Sequence, residues 1–236
     1  MTNHMHRISI IIPVLNESET ISDLLIHLID NASLDAISEI IVVDGGSTDG
    51  TQGIIESLGL NITLLNSEKG RSKQMNLGAK KASGSVLYFL HADSFPPNRY
   101  DKLILDEVNK GNKAGCFRMQ FDSKHWWLQL ASWLTQFSWR ACRGGDQSLF
   151  ITFELFDEIG GYDENYIIYE DNILINALYK HKQFVVINKK IRTSARLYKK
   201  IGVWKLQYHF WTIYVKKWLG ASPQQLLAYY KKNIVS

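Results

Sequence analysis

Runs of β-branched residues alternate along this chain with stretches whose apolar positions recur at helical spacing. Ile8 to Ile12 forms the first such run, and Ile21, Leu24, Leu25, Leu28 and Ile29 then follow an i, i+3, i+4, i+7, i+8 pattern. Asn16 and Glu19 have the spacing of a capping box, so a helix is expected to begin just after Asn16, with residues 13–16 as the crossover loop. Ile40 to Val43 is a second buried-strand pattern, Asp44 to Gly50 a turn, and Gln52 to Leu58 a short helix. Ile62 to Leu65 and Val86 to Leu90 predict further strands, separated by a helix over about 72–82. Strands and helices alternating at this spacing predict an α/β domain with a mostly parallel central sheet flanked by helices. Beyond residue 113 the pattern changes. Ala114 to Phe121 reads as a strand, followed by a Trp-rich helix, a Gly turn at 144–145 and a helix over about Asn172 to His181.

The chain has 236 residues, 45% of them hydrophobic, which suffices for one sizeable core and predicts a single domain over 1–236. A formal net charge of +4 is too small a bias to imply nucleic acid. Cys116 and Cys142 lie far apart and fit neither a disulfide framework nor a clustered metal site, which predicts a reducing cytoplasm. Met1 to Arg7 is short and polar, unlike a secretory leader. Trp126 to Trp139 and Val203 to Leu219 are broken by polar residues, so neither reads as a membrane span.

Three polar clusters fall at the carboxyl ends of predicted strands: Pro13 to Glu17, Asp44 to Asp49, and His91 to Asp93. Ligands bind at that edge of open parallel sheets. Taken alone, Asp44 to Thr51 also has a purely structural reading, as a turn followed by a helix cap. No Gly-x-Gly-x-x-Gly turn is present, which counts against a dinucleotide-binding oxidoreductase, and a Walker lysine loop is absent too. Asp93 at a strand end can instead ligate a hard metal ion that bridges two phosphates. Arg71, at the start of the third helix with Gln74 and Asn76, can fork onto phosphate oxygens. Glu170 and Asp171 open a later helix, where a carboxylate serves either as a cap or as a general base. Gly144 to Gln147 and Gly160 to Glu164 read as tight turns, with polar groups able to face a cleft.

These residues together resemble the family 2 glycosyltransferases over nearly the whole chain, and in particular a small bacterial branch with Ser-Ala-Arg near its C-terminus. The resemblance rests on 11–17 (Ile-Ile-Pro-Val-Leu-Asn-Glu), 42–51 (Val-Val-Asp-Gly-Gly-Ser-Thr-Asp-Gly-Thr), Gly70-Arg71 with 74–76, 90–93, 145–147, 160–162, Glu170-Asp171 and 193–196. It implies a single GT-A, Rossmann-like domain: about 1–113 as a nucleotide-sugar half, about 114–200 as an acceptor half, and about 201–236 as a C-terminal helical segment. Pro13, Asn16, Glu17, Asp44, Gly46, Ser47, Arg71, Asn76, His91, Ala92 and Asp93 are then expected around the donor. Gly145, Asp146, Gln147 and Arg196 are expected on the acceptor side. Asp93 matches the last Asp of the family's metal motif, which implies a divalent Mg or Mn ion. Asp171, beside Glu170, matches the base of inverting members. His91 departs from the usual first Asp of the metal motif, and imidazole suits softer ions than magnesium. Leu197 stands where the branch usually has a second Arg.

The resemblance implies a nucleotide-sugar donor and an acceptor hydroxyl. Rival readings are a catalytically silent nucleotide-sugar-binding protein and a nucleotidyltransferase, although the latter should carry a Gly-rich loop with Arg after the first strand. Between Lys180 and Lys205 nine Lys and Arg gather ahead of a helix with Trp204, Tyr208, Trp211, Val215 and Trp218 on one stripe. That stripe either packs on the core or lies in a membrane interface. The second reading suits a lipid-linked acceptor, with the protein at the inner face of the membrane and in peripheral contact with it. No base-reading motif accompanies the Trp residues, so a nucleic-acid partner is not expected.

Overall fold

The computed structural model describes residues 6–235, so most of the polar start discussed above lies outside the described residues. The chain runs through β1 (Ile8–Val14), α1 (Ile21–Asp30), β2 (Ile37–Asp44), α2 (Thr51–Ser57), β3 (Ile62–Asn66), α3 (Arg71–Lys81) and β4 (Val86–Phe89). There follow β5 (Ser94–Phe95), α4 (Tyr100–Asn109), β6 (Ala114–Phe121), α5 (Trp126–Leu134), β7 (Leu149–Thr152), α6 (Phe153–Glu158), α7 (Glu170–Lys180) and β8 (Phe184–Thr193). Helices α8 (Arg196–Ile201), α9 (Val203–Trp218) and α10 (Pro223–Tyr230) complete the order.

All eight strands join one sheet in the order β3-β2-β1-β4-β7-β6-β8-β5. β1 is parallel to β2 and β4, and β2 to β3. β7 runs antiparallel to its neighbours β4 and β6, β8 is parallel to β6, and β5 opposes β8. Six strands thus share one direction, as the alternation of elements predicts.

Burial on both faces explains the uninterrupted apolar strands. Ile8, Ile10, Ile12 and Val14 of β1 pack with Leu24, Leu25 and Leu28 of α1 and with Tyr100 and Ile104 of α4. Ile11, Ile41 and Val43 pack on the other face with Met75 and Ala79 of α3, Leu155, and Leu174 and Leu178 of α7. Gly78 sets how closely α3 approaches, since a Cβ there would stand 2.5 Å from Ile11 Cγ2.

The structure corrects several expectations. The capping box fails: α1 starts at Ile21, and its N-cap residue Thr20 makes no side-chain cap bond. Asn16 takes a left-handed φ of 56°. Its carboxamide oxygen accepts instead from the Thr48 N–H at 2.8 Å, across to the neighbouring loop. Nor are Pro13 and Val14 loop residues, because both pair with β2. Pro13 is tolerated there because pairing with β4 has ended at Ile11 and Phe89, so no ladder bond awaits its missing N–H.

Part of the Lys-rich segment is strand. Phe184 to Thr193 pairs along β6, with a register shift between Phe117 and Arg118. The aromatic stripe of α9 does not pack on the core. Leu206, His209 and Ile213 are its buried residues, and Trp204, Tyr208, Trp211, Val215 and Trp218 are all exposed.

Candidate active site

The loops after β1 and β2 are bonded together residue by residue. Asn16 N–H donates to Ser47 Oγ, Glu17 N–H to Thr51 Oγ1 (both 2.9 Å), and Ser18 N–H to Asp49 at 3.0 Å. Gln74 of α3, buried in an otherwise apolar contact, donates to the carbonyls of Val14 and Val43 at 2.8 and 2.7 Å. It ties the ends of both strands to one helix. Asp44 is fully buried, and its carboxylate accepts from the Gly46 and Ser47 N–H groups and from the side chains of Ser47 and Gln52. Burial alone would raise its pKa, yet these bonds hold it below the ordinary Asp value. Asp44, Gly46 and Ser47 therefore form a pre-set turn at the sheet edge.

Asp93 follows β4 and meets two other carboxylates electrostatically. Burial raises its pKa, and the charges of Asp146 and Glu17 add to this against His91 and Arg196. Arg196, the first residue of α8, donates to Glu17 and has its Nε 3.5 Å from Asp93. Expected on the acceptor side, it lies against the donor-half residues. Ala92 packs into the core.

His91 is bound sideways. Its Nδ1 lies 3.5 Å from Asp146 Oδ1. Burial and Arg71 lower its pKa, but Asp146 and Asp171 outweigh them and the net shift is upward.

At the entrance of α7, Glu170 is almost fully buried and accepts from Arg71 at 3.1 Å, whereas Asp171 lies 4.0 Å from the same guanidinium. Burial and then the Asp171 charge push the Glu170 carboxyl up to about 7 against the pull of Arg71. Arg71 thus joins the carboxylate pair. Asp171, His91, Gly145, Tyr162, Phe89 and Met75 line one crevice. Gly145 is required by contact: a Cβ would stand 2.0 Å from Asp171 Oδ2 and 2.8 Å from His91 Cε1.

Two expected site residues are committed to structure. Asn76 bonds through its carboxamide to Tyr162 N–H and C=O and to Glu164, all at 2.9 Å. Gln147 is buried, bonded to Arg143 and to the Cys142 carbonyl, with the Cys116 thiol donating to it. Arg143 and Tyr162 were not singled out as site residues by sequence reading. The buried Arg143 donates to the carbonyls of Thr135 and Phe137 at 2.6 Å and so holds the segment leading to Gly145. Only the polar character of Gln74 within an apolar helix face signals such ties in the sequence.

Among the described residues no group of three or more His, Cys, Asp or Glu could hold a metal ion by itself. Asp93 among Glu17 and Asp146 still fits an ion shared with substrate phosphates, since hard divalent ions are commonly held by one or two carboxylates plus phosphate oxygens.

A bonded pair of loops thus lies at the carboxyl edge of a mostly parallel sheet and faces an acidic helix entrance, the edge where open sheets of this kind take ligands. The sequence model described as glycosyl transferase family 2 matches residues 9–164, and the chain belongs to that family. The chain is 32% identical over 105 residues to glycosyltransferase AglE of Haloferax volcanii, covering 42% of this chain and 34% of the relative. It is 37% identical over 103 residues to dolichol-phosphate mannosyltransferase of Pyrococcus furiosus, covering 42% and 29%. The chain thus spans about a third of the length of these curated relatives. The mannosyltransferase PcManGT of Pyrobaculum calidifontis, solved with GDP-Man and Mn2+, superposes with a TM-score of 0.66 at 18% identity, covering 99% of this chain and 66% of that one.

Proposed function

We propose that this protein transfers a sugar from a nucleoside diphosphate donor to an acceptor hydroxyl, with Asp171 as general base. The observation that carries the proposal is the crevice beside Gly145, where the space a side chain would fill is taken by Asp171 and His91. An acceptor oxygen placed there loses its proton to Asp171 as it bonds to the anomeric carbon. The bond from that carbon to the diphosphate breaks, and the nucleoside diphosphate departs with the electron pair. Attack from the face opposite the leaving group inverts the anomeric centre, as the resemblance implies.

Arg71 and Glu170 act by position: the ion pair between half-exposed Arg71 and buried Glu170 fixes the first turn of α7 and so the direction of Asp171. The bonded 15–18 and 45–51 loops present a rigid nucleotide seat. Arg196 supplies a cation facing the diphosphate. A divalent Mg or Mn ion held by Asp93 and the donor phosphates would neutralise charge building on the leaving group. Solved relatives of the same fold carry Mn2+, which supports a metal here.

The name of the Pyrococcus furiosus relative favours a lipid-linked acceptor. A silent nucleotide-sugar-binding protein is the alternative, supported by His91 in place of an Asp and its engagement with Asp146. Incubation with a panel of nucleotide sugars and manganese or magnesium tests the proposal. Release of nucleoside diphosphate that depends on acceptor supports transfer, and a thermal shift by donors without turnover supports the silent reading.

A further inference from the structure

Every tryptophan of the chain lies between residues 126 and 218, in α5, in the segment just after it, or in α9. Tryptophan is normally a highly buried residue. Here Trp126, Trp133, Trp139, Trp204, Trp211 and Trp218 are each at least half exposed, with Trp218 at 83%. Trp126, Trp204 and Trp211 gather around Trp127, while Trp133 and Trp139 pack on Phe137. The Trp126 and Trp127 rings of α5 pack 5.7 and 5.4 Å from Trp204 of α9, and Trp127 Nε1 donates to Gln207 at 3.1 Å. The two helices therefore present one aromatic face, continued down α9 by Tyr208, Val215 and Leu219. Soluble monomers rarely leave so large an apolar patch uncovered.

Charge identifies what covers it. No Asp or Glu occurs from Ser123 to Gly145, and none follows Asp171. The last 65 residues hold 13 of the 27 Lys and Arg, leaving 14 with all 23 acids in residues 1–171. Exposed Lys124, Lys199, Lys200, Lys205 and Lys216 flank the aromatic face in sequence. Exposed Trp bordered by Lys, without carboxylates, suits the headgroup level of an anionic bilayer, where indole takes the interface and each nearby Lys adds electrostatic attraction. No described helix is long and apolar enough to cross a membrane, so the contact is peripheral.

We propose that α5 and α9 together form a docking face for an anionic lipid surface. The face adjoins the candidate site. Tyr214 of α9 stacks edge-on with Tyr169 at 5.2 Å and donates to Asn172 at 3.4 Å, so it holds the residues flanking Glu170 and Asp171. A bilayer seated on α9 brings headgroups beside that entrance. This deepens the lipid-acceptor reading and rests on it for purpose, while the binding itself is measured without any sugar transfer.

The test is co-sedimentation of the full chain with phosphatidylcholine vesicles, with and without phosphatidylglycerol, at low and high salt, alongside Trp emission. The expected result is binding to the phosphatidylglycerol vesicles alone, a blue-shifted emission, and release by salt. Trp218→Ser with Leu219→Ser, two strongly exposed positions, should weaken binding at least about tenfold with an unchanged circular dichroism spectrum and melting temperature. Lys199→Gln with Lys200→Gln should reduce the salt-sensitive part. No binding at low salt, or equal binding by the Trp218 and Leu219 variant, overturns the proposal. So does a lipid-free dimer in analytical ultracentrifugation that this variant breaks, since the face would then belong to a second copy.

Discussion

Arg196 and Glu17, 179 positions apart in sequence, are joined by a charged hydrogen bond that closes the C-terminal helices onto the loop after the first strand. The same guanidinium reaches Asp93. One cation thus offsets two carboxylates where a donor diphosphate is expected, and a phosphate entering there exchanges repulsion for a forked contact.

Arg196→Gln should therefore weaken binding of a nucleoside diphosphate about tenfold, close to 1.4 kcal/mol, measured by calorimetry. The loss of the cation and the unmasking of Glu17 and Asp93 act in the same direction. An unchanged dissociation constant would leave Arg196 as a tie between segments only.

The Asp93 neighbourhood predicts metal dependence. Burial and the charges of Asp146 and Glu17 disfavour the ionised Asp93 carboxylate, and a divalent cation reverses that balance. Nucleoside diphosphate should bind more tightly with manganese or magnesium than with chelator, and Asp93→Asn should abolish the difference. Identical isotherms in metal and chelator would remove the metal from the proposal.

Burial and then the Asp171 charge push the Glu170 carboxyl up to about 7 from an ordinary 4.5, so folding disfavours its ionised form. Its contribution to stability is fully present below about pH 4.5 and declines as pH rises to about 7. Melting temperatures across that window should fall more steeply for the native chain than for Glu170→Gln, which cannot ionise. Parallel curves would show that Arg71 keeps Glu170 ionised throughout.

Much of the fold was legible because buried parallel strands leave long apolar runs, as in β1 and β2, and helices such as α1 leave a 3.6-residue pattern. β8 was hidden because Asn188, Lys189, Lys190, Arg192 and Thr193 make half of it polar, and only pairing with β6 reveals it as strand. Asn16 misled for a different reason. Its carboxamide has two candidate backbone partners, the local helix and the adjacent loop, and sequence spacing sees only the first. The site's three polar strand ends could be read from where the apolar runs stop. The pairing of Arg71 with Glu170 and of Arg196 with Glu17 could not, because it depends on which segments the sheet order brings together.

Gly145 gives a steric test of the crevice. Adding one methyl places carbon at 2.0 Å from an Asp171 oxygen and 2.7 Å from its Cγ, so Asp171 or the 144–147 turn must move. Gly145→Ala should reduce transfer far more than donor affinity, with a stability cost of about 1–3 kcal/mol typical of overpacking. Normal turnover in this variant would show that the turn shifts freely and does not position the base.

The sharpest test concerns Asp171 itself. As general base it should be worth about 10²-fold to 10⁴-fold in transfer rate, so Asp171→Asn should lose that factor. Donor binding should survive, because the amide keeps the carboxylate's shape and the loops after β1, β2 and β4 are untouched. A helix cap behaves otherwise: Asn caps nearly as well as Asp, and a cap role would leave rate and melting temperature almost unchanged. The structure adds a reason to expect separation, since Tyr169, not Asp171, occupies the N-cap position of α7. Glu170→Gln is the matched control, as it alters the buried partner of Arg71 without removing the carboxylate in the crevice. Transfer rate, donor affinity and melting temperature should be measured on both variants. A rate loss confined to Asp171→Asn supports the assignment; near-normal transfer by that variant refutes it, and a loss confined to Glu170→Gln moves the role to the neighbouring carboxylate.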